Sequence, residues 1–116
     1  MRMEKPKVIG EGTYGCAHKP PLRCTKASLR GKPEPDYSTS ISKIGEKNEL
    51  NDEYKKYKFM DSIDPEFKYH LPGTVLCDPE MYTTKTRRSS IKESIKECKI
   101  GEDVLNHPDI FALMIM

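Results

Sequence analysis

Apolar residues fall in short, separated groups along the chain, and their spacing predicts strands alternating with helix. Val8 and Ile9 lead into a glycine-rich stretch, and Cys16, Ala17 and His18 lead out of it. Pro20 and Pro21 bar a helix from continuing there, so the start reads as strand, tight turn, strand. Residues 19–38 are rich in Pro, Gly, Ser and basic side chains and read as an inserted, solvated loop. The stretch "YSTSISKIG" alternates β-branched and polar residues, which predicts a strand with Tyr37, Thr39, Ile41 and Lys43 on one face.

From Gly45 to Ile63 the period changes. Leu50, Tyr54 and Tyr57 recur at helical spacing, Met60 extends the stripe, and Asp64-Pro65 ends it, because the residue before proline avoids the helical region. A weaker strand signal lies in "YHLPGTVLC", interrupted by Pro72-Gly73. A second insertion spans residues 78–107. Within it Ser90 and Glu93 have the S-x-x-E form of a capping box, Ile91, Ile95 and Cys98 share a face, and Gly101 follows Lys99, predicting a short helix over 90–99. The closing run "DIFALMIM" is continuously apolar and predicts a fully buried strand. A chain that stops inside its most apolar segment is expected to be cut from a larger whole, or to self-associate through that end.

At 116 residues, with 35% hydrophobic and 33% charged residues, the chain suits one domain of limited core. The 20 Lys and Arg nearly balance 18 Asp and Glu, and a net charge of +2 gives no bulk case for nucleic-acid binding. No apolar run approaches the roughly 20 residues that cross a bilayer, and "MRMEKPK" lacks the apolar core of a signal peptide. A cytoplasmic location follows as the expectation, with Cys16, Cys24, Cys77 and Cys98 as reduced thiols. Short C-x-x-C spacings, the usual mark of a structural zinc site, do not occur, so no metal is expected.

Gly10-Glu11-Gly12-Thr13-Tyr14-Gly15 matches G-x-G-x-x-G. In a dinucleotide-binding fold these glycines must open a helix whose N-terminus faces the pyrophosphate. The prolines at 20 and 21 remove that helix, and the flap design, two strands folded over the phosphates of ATP, remains. Arg87-Arg88-Ser89-Ser90-Ile91 also has the form basophilic kinases modify, although Ser90 reads first as a helix cap.

Strand, glycine flap, strand, lysine-bearing strand, glutamate-bearing helix and two further strands occur in this order. In "GEGTYGCAHKP", "ISKI" and "EYKKYK" the chain resembles the small lobe of protein kinases, most closely the serine/threonine kinases of large DNA viruses. The resemblance spans nearly the whole chain and implies an α+β fold, with an antiparallel sheet of about five strands, one main helix and a short inserted helix. It implies that Gly10, Gly12 and Gly15 close over ATP, that Tyr14 shields the phosphates, and that Ile9 and Thr13 complete the flap. Ala17 stands where the family has an adenine-packing valine, and Ile41 where it has an alanine. Lys43 takes the place of the lysine that binds the α- and β-phosphates. Its helix partner is Glu53, with Glu49 one turn earlier as the alternative, and Met116 or Met114 borders the adenine. The H-R-D and D-F-G motifs that supply the base and hold magnesium do not occur in this sequence. Magnesium is therefore implied only for a protein with a second lobe, and the chain alone is expected to be inactive. A non-catalytic kinase-like docking module is the alternative.

Overall fold

The computed structural model describes residues 6–12, 15–66, 68, 74–80 and 85–116. Five strands, β1 (Lys7–Glu11), β2 (Gly15–Lys19), β3 (Ser42–Glu46), β4 (Val75–Cys77) and β5 (Phe111–Ile115), form one sheet in the order β1-β2-β3-β5-β4. Every neighbouring pair is antiparallel. Helix α1 (Lys47–Ile63) joins β3 to β4, while α2 (Lys85–Lys96) and α3 (Gly101–Asn106) lie between β4 and β5. The molecule is therefore an α+β domain. The closing apolar run is an internal strand, between β3 and β4: all five residues of β5 are buried, because helices cover both faces of the sheet there. The apolar end expected to promote self-association is thus internal, paired with β3 on one side and β4 on the other.

Cross-strand register sorts the side chains between the two faces, since directly opposed residues project to the same side. One row runs Gly10, Ala17, Lys43, Met114, Leu76. Leu50 of α1 closes on this side, packing with Ala112 and Met114, and Tyr54 and Tyr57 border the contact. The adjacent rows, Cys16–Ile44–Leu113–Cys77 and His18–Ser42–Ile115–Val75, face the other way. They meet Ile91, Ile95 and Cys98 from α2 and its exit, and Val104 from α3. Sheet and helices thus form three layers with the larger core on the α2 side.

Both insertions differ from expectation. Residues 19–38 are not merely a solvated loop: Leu22 and Cys24 are buried. The Leu22 N–H donates to Ser42 Oγ at 2.9 Å, and the Thr25 and Glu80 N–H groups donate to the Asp78 and Arg23 carbonyls at 2.9 and 2.7 Å. Residues 37–40 are not strand. Asp36 captures the Ser38 N–H (3.0 Å) and Ser38 Oγ (2.6 Å), and its carbonyl accepts from Thr39 and Ser40, so a side-chain turn replaces the ladder and β3 starts at Ser42. Among its described residues the second insertion holds two helices instead of one. α2 begins at Lys85, which places Ser90 within the helix and not at its cap.

The cysteines are disulfide-bonded, a correction to the reduced-thiol expectation. Cys16 pairs with Cys98 and Cys24 with Cys77. Each bond ties one insertion to the sheet: Cys98 follows α2 and joins β2, and Cys24 lies in the first insertion and joins β4. Gly101 starts α3 where the backbone of α2 passes closest. A Cβ there would lie 2.1 Å from the Ile95 carbonyl oxygen, so no other residue fits without movement. Among the described residues no helix is long and apolar enough to cross a membrane.

Candidate functional site

The glycine-rich segment is a hairpin. The Gly12 N–H donates to the Gly15 carbonyl at 3.0 Å, closing a turn between β1 and β2, and β2 continues from Gly15 without a helix. This is an antiparallel hairpin and not the strand-to-helix turn of a dinucleotide site. The tip residues Thr13 and Tyr14 lie outside the described residues. β1 carries a bulge between Val8 and Gly10, which leaves Ile9 without a cross-strand partner and 54% exposed.

Beneath this turn is a cleft of about 370 Å³ lined by Gly10, Glu11, Gly12, Gly15, Cys16, Ala17 and Lys43. Gly15 is required by packing: a Cβ would stand 2.9 Å from the Ile44 carbonyl oxygen and 3.2 Å from Lys43 Cε. At the cleft, Lys43 Nζ donates to Glu53 Oε2 across 2.8 Å. Helical spacing explains this partner. Glu53 precedes Tyr54, which packs at the sheet, so its carboxylate emerges at the rim of the α1–sheet contact beside β3. Glu49, one turn earlier, is exposed. Both partners of the ion pair remain one-third exposed, so the lysine is held and yet open to a solvent-borne anion.

The other anticipated residues are distributed as follows. Ala17 is directly opposite Lys43 on β2. Ile41 and Met116 exchange two backbone hydrogen bonds, 3.1 and 3.0 Å, beyond the end of the β3–β5 ladder. Neither they nor Ile9 line the cleft. Met114 is fully buried under α1 and not a pocket wall. A larger cavity of about 440 Å³ lies between the first turns of α1 and the first insertion. Its Lys32 ammonium donates to the Leu76 carbonyl at 2.8 Å, and its Cys77 is held in the disulfide.

Sequence reasoning missed a second cluster on the opposite face. Cys16, His18 and Cys98 are all buried and bring their ligand-type atoms within 4.8 Å of one another. His18 Nε2–H donates to the Ser94 carbonyl at 3.1 Å and lies 3.7 Å from Cys98 Sγ. Burial holds the His18 pKa below its ordinary 6.5, against the smaller opposing influences of the Ser94 hydrogen bond and the Glu97 charge. The C-x-H spacing of Cys16 and His18, which puts both on one face of a strand, was the available signal. Cys98 is 82 positions from Cys16, so only the fold unites the three.

Comparison of the chain with models of known protein families, with characterised proteins and with solved structures returns no match.

Proposed function

We propose that this chain is the ATP-binding small lobe of a serine/threonine protein kinase, with the nucleotide's phosphates seated between the Gly10–Gly15 turn and Lys43. The observation that carries the reading is the 2.8 Å Lys43–Glu53 ion pair at a cleft bordered by three glycines. In kinases the strand lysine must be held by a helix glutamate to meet the phosphates. The order of an antiparallel hairpin, a lysine on the next strand and a glutamate on the helix after it supports the reading.

The chemistry assigned to these residues is binding and orientation. Backbone N–H groups of the turn would donate to phosphate oxygens. The Lys43 ammonium, restrained by Glu53, would contribute a charge-assisted hydrogen bond to them. Gly15 keeps side-chain bulk out of the space beside Lys43 Cε. Phosphoryl transfer further needs magnesium ligands and a base. The sequence carries neither H-R-D nor D-F-G, so transfer belongs to a protein in which those parts are also present. The Ser/Thr preference rests on the resemblance of "GEGTYGCAHKP" to that family.

Titration of the protein with a fluorescent ATP analogue tests the proposal, with displacement by unlabelled ATP. Binding that Lys43→Met weakens by about 10-fold or more, the worth of one charge-assisted hydrogen bond, is the expected result. Undetectable binding by folded protein, or binding indifferent to Lys43→Met, overturns it.

A further inference from the structure

We infer that Cys16, His18 and Cys98 form a redox-gated zinc site, closed to metal while the Cys16–Cys98 disulfide is intact and able to bind one Zn²⁺ when a dithiol reductant opens it. The inference does not depend on the nucleotide reading, because the cluster lies on the α2-facing side of the sheet.

Geometry is the first support. Zinc bonds of about 2.3 Å to sulfur and 2.0–2.1 Å to nitrogen, at tetrahedral angles, place S and N ligands about 3.6 Å apart. His18 Nε2 and Cys98 Sγ are already 3.7 Å apart. The sulfurs, once unbonded, need to separate to about 3.8 Å for the same geometry. Cys16 and His18 are fixed two residues apart on β2, so the movement falls to Cys98, which follows the end of α2.

Chemistry is the second. The His18 side chain is fully buried, and its Nδ1 has no hydrogen-bond partner among the described residues. Coordination through Nε2 moves the ring proton to Nδ1, at the loss of the Ser94 hydrogen bond. Two thiolates and one neutral imidazole balance the charge of Zn²⁺, which suits a buried site. Among the described residues this is the one group of three ligand-type side chains so arranged. No fourth side chain among the described residues belongs to the cluster, and the remaining position is left to water.

The steps balance. The dithiol delivers two electrons and two protons to the Cys16–Cys98 bond and becomes a disulfide itself. The two thiols then release two protons to solvent as Zn²⁺ binds.

The test uses the full chain carrying Cys24→Ser and Cys77→Ser, which removes the other two thiols. It is reduced with a phosphine, freed of reductant and titrated with Co²⁺ as a spectroscopic probe, then with Zn²⁺. One Co²⁺ per chain with thiolate charge-transfer and tetrahedral d–d bands is expected, bleached by Zn²⁺ and absent from oxidised protein. His18→Ala should weaken binding by more than about 10-fold, the scale on which even a supporting group acts. Should the Ser variant not fold, reduced wild type against His18→Ala isolates the contribution of His18, since Cys24 and Cys77 are then present in both proteins. Reduced, folded protein without charge-transfer bands, or bands unchanged by His18→Ala, overturns the inference.

Discussion

Replacing Glu53 with Gln separates a positioning role for the Lys43 ion pair from a structural one. At 2.8 Å the gross attraction in a water-like dielectric is about 1.5 kcal/mol. Fixing the long lysine side chain offsets up to about 1.5–2 kcal/mol of this. With one-third of each side chain exposed, the pair should contribute no more than about 1 kcal/mol to stability. Gln matches Glu in size and helix propensity, so α1 itself is not penalised. The thermal midpoint is therefore expected to fall by less than about 4 °C for a domain of this length. If the chain binds ATP as proposed, nucleotide binding should suffer more. A lysine no longer held must be ordered when the phosphates arrive, at about 0.5–1.5 kcal/mol, a ~2–13-fold rise in Kd. Thermal unfolding and fluorescent-nucleotide titration of the same samples measure the two effects. A midpoint lowered by more than about 10 °C with unchanged Kd would make the pair structural and refute the reasoning, as would tighter binding from the freed lysine.

Three further outcomes follow from the packing. The Cys24–Cys77 bond spans 53 positions, for which loop-closure entropy predicts about 4 kcal/mol; Cys24→Ser with Cys77→Ser should lower the denaturant midpoint accordingly, and a loss under about 1 kcal/mol would contradict the staple. Gly101→Ala pushes a methyl group onto the Ile95 carbonyl and should cost about 1–3 kcal/mol, read by urea denaturation, whereas unchanged stability would show that α3 shifts freely. Because burial depresses the His18 pKa below 6.5, the unfolded chain takes up that proton first as pH falls. Stability from this group is complete above about pH 6.5 and declines below it; His18→Gln should flatten that decline in denaturation curves from pH 8 to 5, and an unchanged slope would assign it elsewhere.

Elements with strong periodicity were legible in the sequence. "DIFALMIM" became a buried internal strand, and Leu50, Tyr54 and Tyr57 became the sheet-facing stripe of α1, ended at Asp64. The Lys43–Glu53 contact was legible because strand and helix phases each fix one side chain, and Leu50 anchors the helix phase. What failed was governed by local competition or distant pairing. Asp36 bound its own backbone neighbours and removed the expected strand at 37–40. The S-x-x-E pattern at Ser90 fits a helix interior as well as a cap, and α3, at six residues, is too short to display a period. The disulfides were misread because spacing does not determine which cysteines meet.

The alternation that exposes Lys43 to the cleft also delivers Cys16 and His18 to the opposite face, so site and core are set by one register. Lys43 stands between Ala17 and Met114, and the next row holds Cys16, Ile44 and Leu113, of which Ile44 and Leu113 are wholly buried. A slip of β3 by one residue would bring Ile44 to the cleft and drive the Lys43 ammonium into that apolar layer, away from Glu53. The Ile44–Leu113 contact therefore does more than stabilise: it excludes the register in which the lysine is buried. The Cys16–Cys98 bond has a different role, since it constrains the α2 insertion against β2 and leaves the β3–β5 pairing untouched. Reduction of that bond should loosen the α2 layer while Lys43 keeps its place, so the two faces can change state separately although a single pattern of residues created both.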